Sequence, residues 1–289
     1  MKPRPKSVVL DLLSTLRGRS APVRFLVAAA EIFDIDSNAT RVAITRLLSC
    51  GLIERDERGA YRTGAAAAPI LRRLTSWRSI EKRTRDWDGT WIGATPDACC
   101  CSKDARAASV RALEFTGMRE FSNGLWIRPD NLDGGLVAAR EALQGLRLPE
   151  GCPVFRIEDF DEAGEARARA LWDARRICES YRSLAEELEK SAAALPGMDE
   201  RRAMSESFLL GGEAIRRIVL DPLLPDAIVP TGERDALIRV MSAYDEVGRR
   251  CWAPFLNRFG VLVTESPMDR QIWRSAAAVS YVTRSGEPS

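Results

Sequence analysis

Between Asp36 and Thr63 the chain reads, in order, as a helix cap, an amphipathic helix, a glycine stop and a short charged hairpin. That succession leaves few folds open. Asp36-Ser37-Asn38 supplies side-chain oxygens that can accept from the free amides of a first helical turn. Ala39 to Cys50 repeats apolar residues at helical spacing, and Gly51 stands where a left-handed residue usually ends a helix. Leu52-Ile53-Glu54-Arg55 and Ala60-Tyr61-Arg62-Thr63 are strand-like runs on either side of the turn signal Asp56-Glu57-Arg58-Gly59. Upstream, residues 7–17 and the stretch from Pro22 to Phe33 also carry helical periodicity; Gly18 stops the first and a proline opens the second. Three helices followed by a hairpin is the order of a winged helix-turn-helix, with the third helix as reader and the hairpin as wing.

Stepping about 100° per residue puts Thr40, Ala43, Ile44, Leu47 and Leu48 on the inner face of the third helix. Asn38, Val42, Thr45, Arg46 and Ser49 face outward, with Arg41 on the flank. These types suit the major groove. Arginine can bond both acceptors of guanine, asparagine suits adenine, and Val42 and the methyl of Thr45 match thymine methyl groups. Hydroxyls near the helix N-terminus, Thr40 included, would hold phosphates. The expected DNA contacts are therefore Asn38, Thr40, Arg41, Val42, Thr45 and Arg46 from the helix, with Arg58, Tyr61 and Arg62 from the wing. A helical subdomain whose polar face simply meets water would share this periodicity. Charge separates the two readings. Residues 1–85 carry 17 Lys+Arg against 8 Asp+Glu, whereas the remainder carries 26 against 33. A basic N-terminal third on an acidic body is the footprint expected of a phosphate binder.

Beyond the wing, residues 66–86 read as a basic helical connector containing Arg72, Arg73, Arg78, Lys82, Arg83 and Arg85, with Pro69 in its first turn. Residues 87–160 alternate strand and helix: a strand over 87–94, a helix over 103–115, strands over 118–121 and 125–128 around Asn123-Gly124, a helix over 136–146 and a strand over 154–158. This β-α-β-β-α-β order is ferredoxin-like. From Glu165 onward the periodicity is helical, with one apolar stripe through Ala170, Leu171, Ala174, Ile177, Cys178, Tyr181, Leu184, Ala185 and Leu188. Two further helices flank residues 221–230, a turn stiffened by three prolines. The predicted class is α+β: a winged helix-turn-helix over 1–65, the connector over 66–86, a ferredoxin-like domain over 87–160 and a helical domain over 161–284, with a disordered tail after Arg284.

The chain has no histidine. That removes the commonest general base and metal ligand, and every Ser-His or Cys-His nucleophile pair. Seven cysteines without an export signal argue against a disulfide framework. No apolar run approaches the roughly 20 residues of a membrane span, and the basic start lacks the apolar segment of a signal peptide. A cytoplasmic, non-enzymatic protein without a cofactor is expected. Several constellations have bland explanations. Cys99-Cys100-Cys101 cannot all face one ion on regular backbone, so small apolar packing outweighs a thiol sensor. Cys50, Cys152, Cys178 and Cys251 sit among apolar residues and read as core. Asp97 alone is thin support for the metal site of a ferredoxin-like nuclease dimer, the rival reading. Trp87 and Trp91 share one face of the expected strand, as core or as a stacking platform. Gly134-Gly135 and Gly211-Gly212 lack a phosphate-loop context. Arg216-Arg217 and Arg175-Arg176 could meet ligand phosphates, or simply water.

Three stretches carry a resemblance to a known family. Residues 41–53, Arg-Val-Ala-Ile-Thr-Arg-Leu-Leu-Ser-Cys-Gly-Leu-Ile, look like the reader helix and first wing strand of the PaaX-like repressors of phenylacetate catabolism. Trp87-Asp-Gly-Thr-Trp91 resembles that family's entry to its central domain, and Asp221-Pro-Leu-Leu-Pro225 a run in its C-terminal domain. The resemblance covers about residues 5 to 260. It implies a homodimer on a near-palindromic operator, released by an aromatic acyl-CoA such as phenylacetyl-CoA. Two departures bear on the effector: Thr95-Pro-Asp-Ala-Cys-Cys-Cys-Ser102 interrupts an ordinarily apolar continuation, and Gly64 with four alanines follows the wing. No effector-binding residues are assigned.

Overall fold

A computed structural model describes residues 3–16, 19–67, 76–96, 102–146, 148–149 and 151–261. Arg17, Gly18, Pro69, Arg72, Arg73, Asp97, the three cysteines Cys99 to Cys101, and the tail after Arg284 lie outside them. The protein is α+β. In chain order its elements are α1 (Pro5–Thr15), α2 (Val23–Glu31), α3 (Ser37–Ser49), β1 (Ile53–Arg55), β2 (Tyr61–Thr63), β3 (Trp91–Ala94), α4 (Lys103–Phe115), β4 (Arg119–Ser122), β5 (Leu125–Pro129), α5 (Gly135–Gly145) and β6 (Val154–Ile157). Four helices follow: α6 (Glu162–Arg169), α7 (Ala174–Ala194), α8 (Glu200–Val219) and α9 (Gly232–Arg258).

The residues group into two compact units, neither of them continuous in sequence. One takes residues up to 78 together with 183–219 and 236–261; the other takes 79–182 with 220–235. This differs from the consecutive division at 65, 86 and 160 read from the sequence, and side-chain packing explains why. In the first unit Phe33 lies 4.9 Å from the Phe208 ring of α8 and stacks on Trp252 of α9 at 6.4 Å. Phe25 meets Phe255 and Phe259 at 5.8 and 5.7 Å. Trp252 is fully buried, and its indole N–H donates to the Met204 carbonyl at 3.1 Å. Arg201 of α8 reaches the end of α2, donating to the Glu31 carbonyl (2.6 Å) and to Asp34 (2.5 Å). A cation on the last carbonyls of a helix is favourable both as a hydrogen bond and against the helix dipole. The N-terminal helices thus bury their aromatic side chains on helices drawn from the far end of the chain.

Within that unit α1 and α2 both pack on α3, whose inner side chains Ala43, Ile44 and Leu47 are buried. β1 and β2 form the expected antiparallel hairpin, Ile53 opposite Thr63, Glu54 opposite Arg62 and Arg55 opposite Tyr61. A third stretch of backbone joins it: Ala21 and Tyr61 exchange both amide bonds, at 2.7 and 2.8 Å. The hairpin is therefore tied to the segment entering α2. The connector differs from the expected helix: where described, it is two 3-10 segments, Ala65–Ala67 and Ser76–Arg83.

The second unit holds an antiparallel four-stranded sheet in the order β4-β5-β3-β6. Asn123 and Gly124, both with positive φ, turn the β4–β5 hairpin as the dipeptide signal predicts. One core forms around Ile92, Ala94, Trp126 and Val154 with Leu113 of α4 and Leu143 of α5. Trp91, Ile127, Ala168, Trp172, Leu224 and Ile228 form another. Their alternation along β3 is the period of two expected of a strand buried on both faces. The strand is shorter than expected. Trp87 to Thr90 is a turn in which Asp88 accepts from the Thr90 amide and hydroxyl, and the Trp87 indole donates to the Thr90 carbonyl. The stripe read from Ala170 to Leu188 is also broken, because α6 ends at Arg169 and α7 begins only at Ala174.

The proline turn between α8 and α9 is fastened to the sheet by polar side chains. Buried Arg128 donates to the carbonyls of Thr116, Pro129 (3.2 Å) and Pro222 (3.1 Å), and the Asn131 amide donates to the Leu223 carbonyl at 2.6 Å. Asp221 accepts from the Tyr181 hydroxyl and from the Leu223 amide (2.6 Å), with Arg234 at 3.7 Å. Burial pushes the Asp221 carboxyl above its ordinary value, the bonds from Tyr181 and Arg234 opposing the rise. Burial and the neighbouring carboxylate together keep the proton on Tyr181.

Candidate nucleic-acid interface

α3 is presented by its cap. The Asp36 side chain accepts from the Ala39 amide at 2.8 Å, so the helix begins at Ser37, two residues earlier than the periodicity suggested. At its other end Gly51 has φ +65, the left-handed conformation expected of a helix stop. Asn38, Arg41, Val42, Thr45 and Arg46 are exposed along one side, Val42 at 42%. An exposed valine between two arginines leaves an apolar contact available beside the charges. The helix contains no carboxylate. Thr45 and Ser49 turn their hydroxyls back onto the carbonyls of Arg41 and Arg46, at 3.1 and 2.9 Å.

Thr40 does not belong to this face. It is fully buried and its hydroxyl donates to the Asp36 carbonyl at 3.0 Å, so it supports the cap and cannot reach a phosphate. The helical wheel already placed it inward; its hydroxyl made it look like a phosphate ligand.

The β1–β2 hairpin is held in shape by Asp56, which accepts from the amides of Arg58 (3.0 Å) and Ala60 (2.8 Å). A hydrogen bond from the Ser20 side chain, followed by those amides, holds the Asp56 carboxyl below the ordinary carboxylate value. Arg58 is exposed at the tip and Tyr61 half-buried. Arg62 is exposed but occupied: its Nε lies 2.6 Å from Oε1 of Glu54, its direct partner across the hairpin. Glu54 was not among the expected site residues. Strand alternation would have found it, because residues opposite one another in a hairpin share a face.

The other constellations resolve individually. Trp87 and Trp91 do meet, edge to face at 5.2 Å, but Trp91 is buried, stacked on Trp172 at 6.1 Å and bonded through its indole to Glu165. It is core, not a platform. Arg216 and Arg217 both pair with Glu213, Arg216 and Glu213 half-buried, and exposed Arg175 pairs with Glu179. Cys50, Cys152, Cys178 and Cys251 are free thiols and half-buried, where the sequence reads them as core. Gly134 and Gly135 open α5 with positive φ, and Gly211 and Gly212 are buried within α8. Among the described residues no three His, Cys, Asp or Glu side chains cluster as metal ligands, and no helix is long and apolar enough to cross a membrane.

No protein-family model matches the chain, and no curated protein matches it. Its structure is similar to the solved structure of the uncharacterized protein Rv0674 from Mycobacterium tuberculosis. The two are 25% identical, with a TM-score of 0.59 over 85% of this chain and 97% of that one. The likeness therefore spans most of both chains.

Proposed function

We propose that this chain is a sequence-specific DNA-binding transcriptional regulator: a winged helix-turn-helix at the N-terminus, a ferredoxin-like unit in the middle and a helical C-terminal part. The observation that carries the proposal is the exposed side of α3. Asn38, Arg41, Val42, Thr45 and Arg46 stand together there without a carboxylate in the helix. α3 would lie in the major groove with Arg41, Arg46 and Asn38 toward base edges, while Arg58 meets the backbone. One reader helix covers a half-site, so the working species is a homodimer on a near-palindromic operator. The sheet order β4-β5-β3-β6 with α4 and α5 supports the ferredoxin-like assignment. On the PaaX-like resemblance, the protein represses genes of aromatic acid catabolism in the cytoplasm and an aromatic acyl-CoA releases it. Release requires the effector to prefer the arrangement that cannot bind DNA.

Fluorescence anisotropy on DNA from upstream of its own gene tests this, over a salt series and with or without phenylacetyl-CoA. Binding is expected to fall steeply with salt, to weaken in Arg46→Ala by about 1–3 kcal/mol and to be lost on adding the acyl-CoA. Binding indifferent to the acyl-CoA removes the effector and keeps the regulator. Affinity no greater than for random duplex removes the regulator.

A further inference from the structure

The wing is electrically balanced. Residues 53–63 contain Arg55, Arg58 and Arg62 against Glu54, Asp56 and Glu57, a net charge of zero. α3, by contrast, carries Arg41 and Arg46 with no acid. The balance on the wing is structural as well as numerical. Glu54 and Arg62 are direct partners in the β1–β2 register. Ile53, one residue before Glu54, is buried, so strand alternation turns Glu54 and Arg62 to the opposite, outer face. There the Arg62 Nε sits 2.6 Å from the Glu54 carboxylate, with both side chains nearly half exposed. A guanidinium held in this way meets a phosphate with its Nε donor already taken and its charge countered by the carboxylate.

We propose that Glu54 is an intramolecular competitor for DNA phosphate. It occupies Arg62, the basic residue of β2, and so limits how tightly the protein holds DNA irrespective of sequence. The proposal rests on the DNA-binding reading above and adds to it a residue that sets sequence-independent affinity. Affinity for random duplex then comes from α3 and the cations around it rather than from β2. Dissociation from non-target DNA is correspondingly faster. Freeing Arg62 adds one phosphate contact. The dependence of log affinity on log salt steepens by about 0.9 for each phosphate neutralised, so at about 0.1 M salt the gain is on the order of five- to ten-fold.

The test uses the full-length chain and a fluorescein-labelled random-sequence duplex, titrated by anisotropy across a salt series, beside the upstream duplex. Glu54→Gln removes the ion pair and nearly preserves side-chain volume. It is expected to tighten binding to random duplex five- to ten-fold and to steepen the salt slope by about one. Adding Arg62→Ala to that variant should return the slope to the wild-type value. Glu57→Gln removes the same charge from the wing tip, where Glu57 makes no ion pair among the described residues, and should move the slope less. An unchanged slope in Glu54→Gln, while Arg46→Ala still weakens the upstream duplex, overturns this proposal and leaves the DNA-binding reading standing. Equal slopes in Glu54→Gln and Glu57→Gln also overturn it, because the wing's overall field would then be the cause. If the wild-type chain binds neither duplex, both readings fall.

Discussion

Gly64 lies so close to Gly51 that a β-carbon on Gly64 would overlap the Gly51 carbonyl oxygen. The two glycines mark the entry and exit of the β1–β2 hairpin: Gly51 ends α3 in the left-handed region, and the Gly64 amide donates to the Leu52 carbonyl at 2.9 Å. The obstacle to Gly64→Ala is backbone rather than a side chain that can swing away. This substitution is expected to cost on the order of 1–3 kcal/mol, as overpacking does elsewhere. Urea unfolding would show it as a lower midpoint, and a loss under about 0.5 kcal/mol would mean the hairpin yields more easily than its packing implies.

The N-terminal helices share an aromatic core with α8 and α9, so they should not be stable alone. Phe33→Ala removes a ring that touches both Phe208 and Trp252 and is expected to cost about 3–5 kcal/mol. Hydrogen exchange should show α2 and α8 losing protection together. A fragment of residues 1–67 should melt without a cooperative transition; a sharp melt from that fragment would contradict the shared core.

Asp36 caps the helix that carries the candidate DNA face. Asp36→Ala should destabilise the protein by about 1 kcal/mol, whereas Asp36→Ser should restore most of the loss, since a hydroxyl can accept the same amide. Thermal melts compare the two variants directly. Equal losses would show that the charge at the helix N-terminus matters rather than the cap bond.

Asp221 gives a pH signature. Its folded-state carboxyl is raised by burial, so its contribution is fully present below the unfolded value of about 4 and is lost as pH rises through the folded one. Wild-type stability relative to Asp221→Asn should therefore decline from about pH 4 upward. Tyr181→Phe should deepen the decline, because it withdraws a bond that favours the charged form. Denaturant midpoints measured across that range decide it; a difference that grows with pH would reverse the assigned direction.

Much of this is legible in the sequence. Cap, helix, glycine stop and hairpin between Asp36 and Thr63 are local events, each set by the dihedral preferences and hydrogen-bonding reach of a few neighbouring residues. So is the Asn123-Gly124 turn. The outward set on α3 followed from helical periodicity, and the residue that failed, Thr40, failed on a point periodicity had already decided. Local rules also erred where a side chain captured the backbone: Asp88 folds Trp87 to Thr90 into a turn and shortens β3.

The sequence by itself therefore determined most of the elements, their order and which face of α3 is polar, because each depends on residues within a turn or two of one another. Only the tertiary structure decided which elements share a core. No periodicity within residues 22–33 reveals that Phe25 and Phe33 will pack on rings near Phe208 and Phe255. Nor could it show that Arg128 and Asn131 would hold the carbonyls of Pro222 and Leu223. Such partners lie about a hundred residues or more away in the chain, and what joins them is burial of surface each leaves uncovered, which is a property of the assembled fold.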